Sequence, residues 1–169
     1  MKNKVLILDD DQHLVESLKK DFLELGLDVL CLDRVSDIHA DTKVQFAVID
    51  LRLSQGQFGL DAITKLIEYN PNVKIIVFSG YGSITTAVEA VKKGAIDYLT
   101  KPASFKQIWS ALNGIKFEQN DDFKRLSLSE VEHEYIDFLL TKNNGNISKT
   151  AKDLGLHRQS LQRKLKKYT

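Results

Sequence analysis

The sequence predicts an α/β fold built on a doubly wound sheet of five parallel strands, followed by a C-terminal all-α domain. Short apolar runs alternate with longer amphipathic stretches over the first two-thirds of the chain, and this alternation indicates strands joined by helices. Beyond Ser127 only helical periodicity remains. The 169 residues are enough for one such α/β domain and a small second domain, but not for two large hydrophobic cores.

Each of the five apolar runs is predicted to form a strand, at residues 5–8, 29–32, 46–49, 73–78 and 96–99. Between the strands, apolar residues recur at helical spacing: Leu14, Val15, Leu18, Phe22 and Leu25; then Leu60, Ile63, Leu66 and Ile67; then Ile84, Ala87, Val88 and Val91. A second helix is expected around residues 35–40, and a last one from about Phe105 towards Lys116. Strands that are apolar on both faces and separated by helices are typical of a parallel sheet covered on both sides.

The apolar pattern breaks after the last of these helices, at Asn113, Gly114 and residues 119–122. We therefore expect a first domain at residues 1–116, a linker at residues 117–126 and a second domain at residues 127–169. The second domain is predicted to contain one longer helix and two shorter ones. The apolar residues of the longer helix are Leu128, Val131, Tyr135, Phe138 and Leu139.

No segment of the chain predicts a membrane span or an export signal. No uninterrupted apolar run is long enough to cross a bilayer, and the N-terminus turns acidic after four apolar residues, which is too few for the apolar core of a signal peptide. We therefore expect a cytoplasmic protein that does not contact a membrane. The single cysteine, Cys31, has no partner for an internal disulfide and is expected to pack as a small buried residue.

Charge is distributed unevenly along the chain, although the net charge is only +1. Residues 1–112 contain 13 basic and 15 acidic side chains, whereas residues 113–169 contain 11 and 8. Within the last 28 residues, eight lysines and arginines are accompanied by a single acidic residue, Asp153. A basic C-terminal segment favours a polyanionic partner; the alternative is a lysine-rich helix exposed to solvent.

Polar residues lie at the predicted carboxyl ends of four strands: Asp9, Asp10 and Asp11 after the first, Asp50 after the third, Ser79 after the fourth and Lys101 after the fifth. In open α/β sheets, ligands bind at this edge. For the flavodoxin-like strand order 2-1-3-4-5, the crevice lies between the first and third strands. In that order Asp9 and Asp10 converge with Asp50.

Carboxylates held this close repel one another, so their charged forms require a cation among them. Mg²⁺ suits this pattern because it prefers oxygen ligands and is commonly bound by one or two carboxylates together with a phosphate. Lys101 and Ser79 can hold the remaining oxygens of a phosphoryl group on Asp50. The alternative is purely structural: Asp11 caps the first helix, Asp50 ends a strand and Lys101 is an ordinary surface lysine.

The segments VLILDDD, FAVIDLRL, VFSGYGS and GAIDYLTKP, in this order and spacing, resemble the receiver domain of two-component response regulators over residues 3–112. The resemblance implies that Asp50 is the phosphoacceptor and that a sensor histidine kinase supplies the phosphoryl group. It also implies that Asp9 and Asp10 hold Mg²⁺ together with Asp50.

The same resemblance assigns roles on the fourth and fifth strands. It implies that Ser79 and Lys101 contact the phosphoryl group and that the Lys101–Pro102 peptide bond is cis, a geometry that only X–Pro bonds adopt at low cost. It further implies that Tyr98 is an aromatic switch residue. For Tyr98, simple packing near a strand end is the alternative.

The C-terminal segment NISKTAKDLGLHRQSLQRKLKKY indicates a helix-turn-helix. Ala151 is small enough to let two helices cross closely, and Gly155 can adopt a left-handed turn conformation four residues later. The apolar residues that would bury one face of each helix are Ile147, Leu154, Leu156, Leu161 and Leu165.

The polar face of the second helix carries residues suited to DNA. The first residues of a recognition helix reach base edges, where arginine pairs with guanine and glutamine with adenine. Lysines suit phosphates, which we expect for Lys149, Lys164 and Lys167. The candidate DNA-binding residues are Lys149, His157, Arg158, Gln159, Ser160, Gln162, Arg163 and Lys166.

Residues 127–169, above all the closing HRQSLQRKLKKY, resemble the Fis-type helix-turn-helix. A receiver joined to such a module, with no ATPase domain between them, is similar to the RegA/PrrA/ActR group of transcription regulators. The resemblance implies double-stranded DNA as a partner and control downstream of a redox-sensing kinase. One recognition helix contacts few base pairs, so we expect a homodimer when the protein is phosphorylated; resemblance to other receivers places the contact at about residues 83–112.

Two other functions fit parts of the pattern. The basic helix could dock on a partner protein, which would make the chain a phosphorylation-dependent interaction module, but such a face would be expected to expose aromatic residues or leucines rather than Arg158 and Gln159. A metal-dependent phosphatase or other stand-alone enzyme would need a second metal site or a nucleophile–base pair, and the four histidines are scattered. We therefore expect a transcription regulator and not an enzyme.

Overall fold

The computed structural model of the chain describes residues 3–53, 59–80, 84–115 and 128–167. The chain divides into two compact units, Met1–Asn120 and Asp121–Thr169, and each unit is described by itself. Lys116, the expected end of the last helix of the first domain, and the predicted linker at residues 117–126 lie outside the described residues.

The first unit is built on a five-stranded parallel sheet, which confirms the predicted fold class. Its strands are β1 (Lys4–Leu8), β2 (Asp28–Leu32), β3 (Phe46–Ile49), β4 (Lys74–Ser79) and β5 (Asp97–Thr100), in the spatial order β2-β1-β3-β4-β5. All four strand pairings are parallel. Leu8 at the end of β1 lies opposite Ile49 at the end of β3, so the residues that follow these two strands leave the sheet side by side.

Four α-helices cover the sheet in the described part of this unit: α1 (Gln12–Glu24), α2 (Leu60–Tyr69), α3 (Ile84–Lys93) and α4 (Phe105–Leu112). Successive strand residues point to opposite faces, and each face has its own core. Leu6 of β1 belongs to the core that contains Ile63 of α2, whereas Val5 belongs to the core that contains Phe22 of α1. Because both faces are covered, the central strands are apolar over residues 5–8, 46–49 and 75–78.

Side-chain caps set the ends of two helices. The Asp11 carboxylate accepts hydrogen bonds from the backbone N–H groups of His13 and Leu14, at 3.0 and 3.2 Å, and so caps α1. Ser104 and Gln107 form a capping box at the start of α4. The structural alternative considered for Asp11 is therefore what the structure shows.

The helix predicted around residues 35–40 is reduced to a single 3₁₀ turn, Val35–Asp37. Side-chain hydrogen bonds hold the chain between this turn and β3: Asn70 donates to the carbonyl of Thr42 at 2.8 Å and accepts from the N–H of Val44 at 3.2 Å. Backbone groups that are satisfied in this way do not require a helix. β4 and β5 each begin one residue later than predicted, and Ile96 is exposed rather than part of a strand.

The second unit contains three helices in its described part: α5 (Leu128–Lys142), α6 (Ile147–Asp153) and α7 (Arg158–Lys167). Ile136, Ala151 and Leu161 form its buried core. Tyr135, which was predicted on the apolar face of α5, is 50% exposed, and Ile136 is buried in its place. Helical spacing could not show which of Tyr135 and Ile136 is buried, because each has a leucine four residues later. No helix within the described ranges is long and apolar enough to cross a membrane.

Candidate functional site

The candidate acidic site lies at the edge where the strands of the first unit end. Asp9 follows β1, Asp50 follows β3, Ser79 is the last residue of β4 and Lys101 follows β5. Backbone hydrogen bonds continue the sheet to these positions: the N–H of Asp50 donates to the carbonyl of Leu8 at 2.8 Å, and the N–H of Lys101 donates to the carbonyl of Ser79 at 2.9 Å. Residues far apart in the sequence are therefore held at one edge.

Lys101 joins the two buried carboxylates of this site. Its Nζ lies 2.7 Å from Oδ2 of Asp9 and 2.6 Å from Oδ2 of Asp50. The Ser79 hydroxyl donates to Oδ1 of Asp50 at 2.7 Å, and the backbone N–H of Arg52 donates to the same oxygen at 3.0 Å. The structure thus places Ser79 and Lys101 on different oxygens of Asp50.

Burial and the neighbouring charges shift the pKa values of Asp9 and Lys101. The side chains of Asp9 and Asp50 are 4% and 8% exposed, and that of Lys101 is 20% exposed. Burial raises the pKa of Asp9, against the lowering effect of the hydrogen bonds from Lys101 and from the backbone N–H of Asp11. Burial lowers the pKa of Lys101, but the hydrogen bonds and charges of Asp50 and Asp9 outweigh it, so the pKa of Lys101 is raised. Lys101 therefore carries its positive charge at neutral pH.

Three carboxylates at this edge can offer oxygens to one cation. Ligand atoms of Asp9, Asp10 and Asp50 all lie within 4.8 Å of one another. Asp9 and Asp50 are buried, whereas Asp10 is exposed, so a cation between them would keep a side open to water. Oxygen ligands and retained water suit Mg²⁺. A divalent cation bound by the three carboxylates would also reduce the repulsion between them.

The helix-turn-helix of the second unit has the predicted turn. Asn146 caps α6 by accepting a hydrogen bond from the N–H of Lys149 at 3.0 Å. Gly155 lies between α6 and α7 with a φ of +66°, in the left-handed region that glycine adopts without strain. Ala151 of α6 and Leu161 of α7 are almost completely buried, so these two helices pack closely.

The predicted DNA-binding residues are distributed over the surface of α6, the turn and α7. Ser160 and Gln162 are half-buried, and the remaining six are exposed: Lys149, His157, Arg158, Gln159, Arg163 and Lys166. Lys164 forms an ion pair with Glu132 of α5, with 2.7 Å between Nζ and Oε1, and its expected contact with a phosphate stays a prediction. The side chain of Lys167 lies outside the described part of the structure.

Comparison with known proteins shows that each unit matches a known protein family. Residues 5–113 match the response regulator receiver domain, and residues 127–168 match the bacterial regulatory protein, Fis family. The chain belongs to the response regulator family.

Two regulatory proteins are similar to this chain over most of their length. The chain is 38% identical over 168 residues to the photosynthetic apparatus regulatory protein RegA of Rhodovulum sulfidophilum. The similarity covers 96% of this chain and 91% of that protein. It is 38% identical over 169 residues to the acid tolerance regulatory protein ActR of Rhizobium meliloti, covering 96% and 86%. These matches confirm the predicted resemblance to the RegA/PrrA/ActR group.

A solved response regulator from Burkholderia pseudomallei also resembles this one along its whole length. The two are 33% identical with a TM-score of 0.63, and the similarity covers 96% of this chain and 98% of that one. The structure of that protein contains a phosphorylated aspartic acid, a calcium ion and citrate.

Two contacts of this response regulator were not predicted from its sequence. The backbone N–H of Arg52 donates to Asp50, and a main-chain donor leaves no trace in residue types. Lys101 binds Asp9 as well as Asp50. The sequence held one signal for this second contact, namely that several carboxylates and a single lysine come to the same edge of the sheet. The Lys101–Pro102 peptide is cis, as predicted. Tyr98 is half-buried in β5 against the core on the α2 side, which agrees with the packing alternative and leaves its switch role a prediction.

Proposed function

We propose that phosphorylation of Asp50 switches this response regulator and that it controls transcription by binding double-stranded DNA through α7. The contacts of Lys101 and Ser79 with the two oxygens of Asp50, at 2.6 and 2.7 Å, carry the proposal. A phosphoryl group on Asp50 brings oxygens that need a fixed positive charge and a hydroxyl donor. Both groups already contact that carboxylate. A sensor histidine kinase would supply the phosphoryl group.

The residues of the site divide the transfer between them. A carboxylate oxygen of Asp50 forms the bond to phosphorus, and the kinase histidine leaves with its electron pair. Lys101 and Ser79 bind the phosphoryl oxygens, and Asp9 and Asp10 would hold Mg²⁺ together with Asp50. When bound, Mg²⁺ supplies neutralisation of the developing negative charge. The phosphoryl group is accepted by the protein's own side chain and not by a separate substrate, so we propose a regulatory protein and not an enzyme.

Mg²⁺ is expected to stabilise the native chain against thermal unfolding, because a ligand that binds only the folded state contributes about 2.7 kcal/mol at roughly a hundredfold excess over its Kd. Asp10→Ala should weaken this Mg²⁺-dependent shift in Tm, since it removes the exposed ligand. Asp11→Ala is the matched control: it removes the cap of α1 at a cost of about 1 kcal/mol but should keep the Mg²⁺ response. A full response in Asp10→Ala would exclude that carboxylate from the ligand set.

Phosphorylation is proposed to act by pairing two chains. The region from α3 to β5 exposes three apolar side chains, Val88, Val91 and Ile96, which are 45–55% exposed, and apolar side chains of this kind are what a dimer would cover. They lie within the predicted contact region at residues 83–112, of which residue 83 falls outside the described residues. Two linked recognition helices bind DNA more tightly than one, because the second contact becomes intramolecular.

We propose to test whether phosphorylation couples dimer formation to DNA binding, and with it the proposed function. The test combines sedimentation and duplex titration, each with and without a beryllofluoride mimic of the phosphoryl group. We expect the mimic, in the presence of Mg²⁺, to convert the chain into a dimer and to tighten DNA binding at the same protein concentrations. Removal of Mg²⁺ by a chelator should abolish both changes. Tighter DNA binding by a species that stays monomeric on and off DNA would refute the pairing, and no response in either measurement would refute the switch.

Arg158→Ala and Lys166→Ala are expected to affect DNA binding differently. Arg158 is the first residue of α7, where side chains reach base edges, so its loss should cost ~1–3 kcal/mol at one base position and relax sequence preference. Lys166 lies in the last turn and should contact a phosphate, so its loss should weaken all duplexes alike. Titrations against matched and scrambled duplexes separate the two outcomes. Equal losses on both duplexes for Arg158→Ala would assign that residue to the DNA backbone.

A further inference from the structure

Asn143, the residue that follows α5, connects the end of that helix to α6. Its side chain is buried, with 7% exposure of the residue. Nδ2 donates to Oγ1 of Thr150 at 3.2 Å and to Oδ2 of Asp153 at 2.8 Å. The Thr150 hydroxyl, which is completely buried, donates to the carbonyl of Leu139 in α5 at 3.4 Å. One amide therefore binds two residues of α6 that lie three positions apart, on one face of that helix.

These hydrogen bonds fix the helix against which α7 packs. Ala151 lies directly after Thr150 in α6 and shares the small core of this unit with Leu161 of α7. This core is small: besides the three buried side chains, its described part has only four partly buried ones, Leu140, Ile147, Leu154 and Leu165. Apolar contacts are not directional, so they constrain the rotation of a seven-residue helix less than hydrogen bonds do. Hydrogen bonds have strict geometry. The contacts of Asn143 fix α6 on α5, and the ion pair between Lys164 and Glu132 adds a direct contact between α7 and α5.

Asp153 is the one acidic residue among the last 28 residues of the chain. A carboxylate on a surface that binds DNA repels phosphate, so on charge alone this position favours a neutral or basic side chain. The hydrogen bond that Asp153 accepts from Asn143 explains what the carboxylate does there, because a bond to a charged acceptor is stronger than one to a neutral acceptor.

We infer that Asn143 and Asp153 are positioning residues for DNA recognition: their hydrogen bond holds α6 so that α7 presents Arg158 and its neighbours in one orientation. This inference rests on the proposed binding of DNA through α7. The inference goes beyond the proposed DNA binding because neither Asn143 nor Asp153 is expected to touch a base. The predicted signature is a loss of sequence preference in protein that remains folded.

The test uses the full chain, a duplex selected from a random pool by the native chain, and a scrambled duplex of the same base composition. Asn143→Asp replaces the donor with an oxygen and brings two carboxylates together, so we expect the preference for the selected duplex to fall about tenfold. Asn144→Asp is the matched control. Asn144 is exposed and has a φ of +52°, which aspartate tolerates, so the same charge change there should leave the preference intact.

A second substitution tests for rescue. Asn143→Asp combined with Asp153→Asn exchanges donor and acceptor, restores the hydrogen bond and keeps the native net charge, so the preference should return. Failure of this rescue would overturn the inference, as would equal losses in Asn143→Asp and Asn144→Asp, which would assign the effect to charge. If the native chain selects no duplex, the proposed DNA binding is wrong and the inference is wrong with it. If the native chain selects one and Asn143→Asp keeps the full preference, only the inference is wrong.

Circular dichroism reports whether Asn143→Asp folds. If it does not, two substitutions of Asp153, the exposed partner in the hydrogen bond with Asn143, still test the inference. Asp153→Ala and Asp153→Asn remove the same charge, but asparagine keeps an oxygen that can accept from Asn143. We expect Asp153→Ala to lose preference for the selected duplex and Asp153→Asn to retain more of it. Equal preferences in the two variants would overturn the inference.

Discussion

Asp50→Asn is expected to abolish phosphoryl labelling of the chain by a small-molecule phosphodonor in the presence of Mg²⁺. An amide oxygen is neither charged nor nucleophilic enough to replace the carboxylate. Asparagine keeps one acceptor oxygen, which can face Lys101, and its amide NH2 can donate to the Ser79 hydroxyl in place of the second oxygen, so the fold should be retained. Intact-mass measurement under native conditions detects the added phosphoryl group, and circular dichroism checks the fold.

Asp61→Asn is the matched control for this experiment. Asp61 is exposed in the first turn of α2, so the same chemical change occurs away from the acidic site, and labelling should match that of the native chain. A phosphoryl mass gain in Asp50→Asn would show that another residue is the acceptor. Loss of labelling in both variants would show that the donor reaction depends on something other than the acidic site.

The sequence predicts the sheet well because both of its faces are covered. Residues such as Leu6 and Val5 pack into different cores, so successive positions within a central strand are apolar and the run is easy to recognise. The chain between β2 and β3 is different. Its position depends on the Asn70 side chain, which lies far away in the sequence, and no local periodicity records such a contact.

The acidic site was predicted from its residue types and from their positions at the ends of strands. The contacts between these residues were not all predicted. Asp9, Asp50, Ser79 and Lys101 could be grouped because parallel strands bring their carboxyl ends to one edge. The contact of Lys101 with both Asp9 and Asp50 depends on short distances between buried groups, which the sequence does not specify. In the second unit, the polar contacts of Asn143 escaped prediction because its buried position is set by tertiary packing, and asparagines are usually exposed.

The approach of Gly59 to the phosphoacceptor is a further contact that only the structure reveals. Gly59 precedes α2, is buried, and donates its N–H to the carbonyl of Leu51 at 3.0 Å. A Cβ atom built on it would overlap the carbonyl oxygen of Asp50 and lie 3.0 Å from Cγ2 of Ile49. The backbone of Gly59 has ordinary helical angles, so space, and not backbone conformation, requires a glycine here.

Gly59→Ala is therefore expected to destabilise the first unit and to slow phosphorylation at the same time. The obstacle is backbone and not the end of a flexible side chain, so relief requires β3 or α2 to shift; overpacking of this kind costs ~1–3 kcal/mol or more, and any shift moves Asp50 relative to Ser79 and Lys101. Urea unfolding and the rate of labelling measure the two effects. Gly80→Ala is the matched control, since a Cβ there meets nothing within 4 Å although Gly80 adjoins Ser79, and its stability should change by less than about 0.5 kcal/mol. If Gly59→Ala is as stable as Gly80→Ala and is labelled as fast, the close approach of Gly59 to Asp50 does not constrain the site.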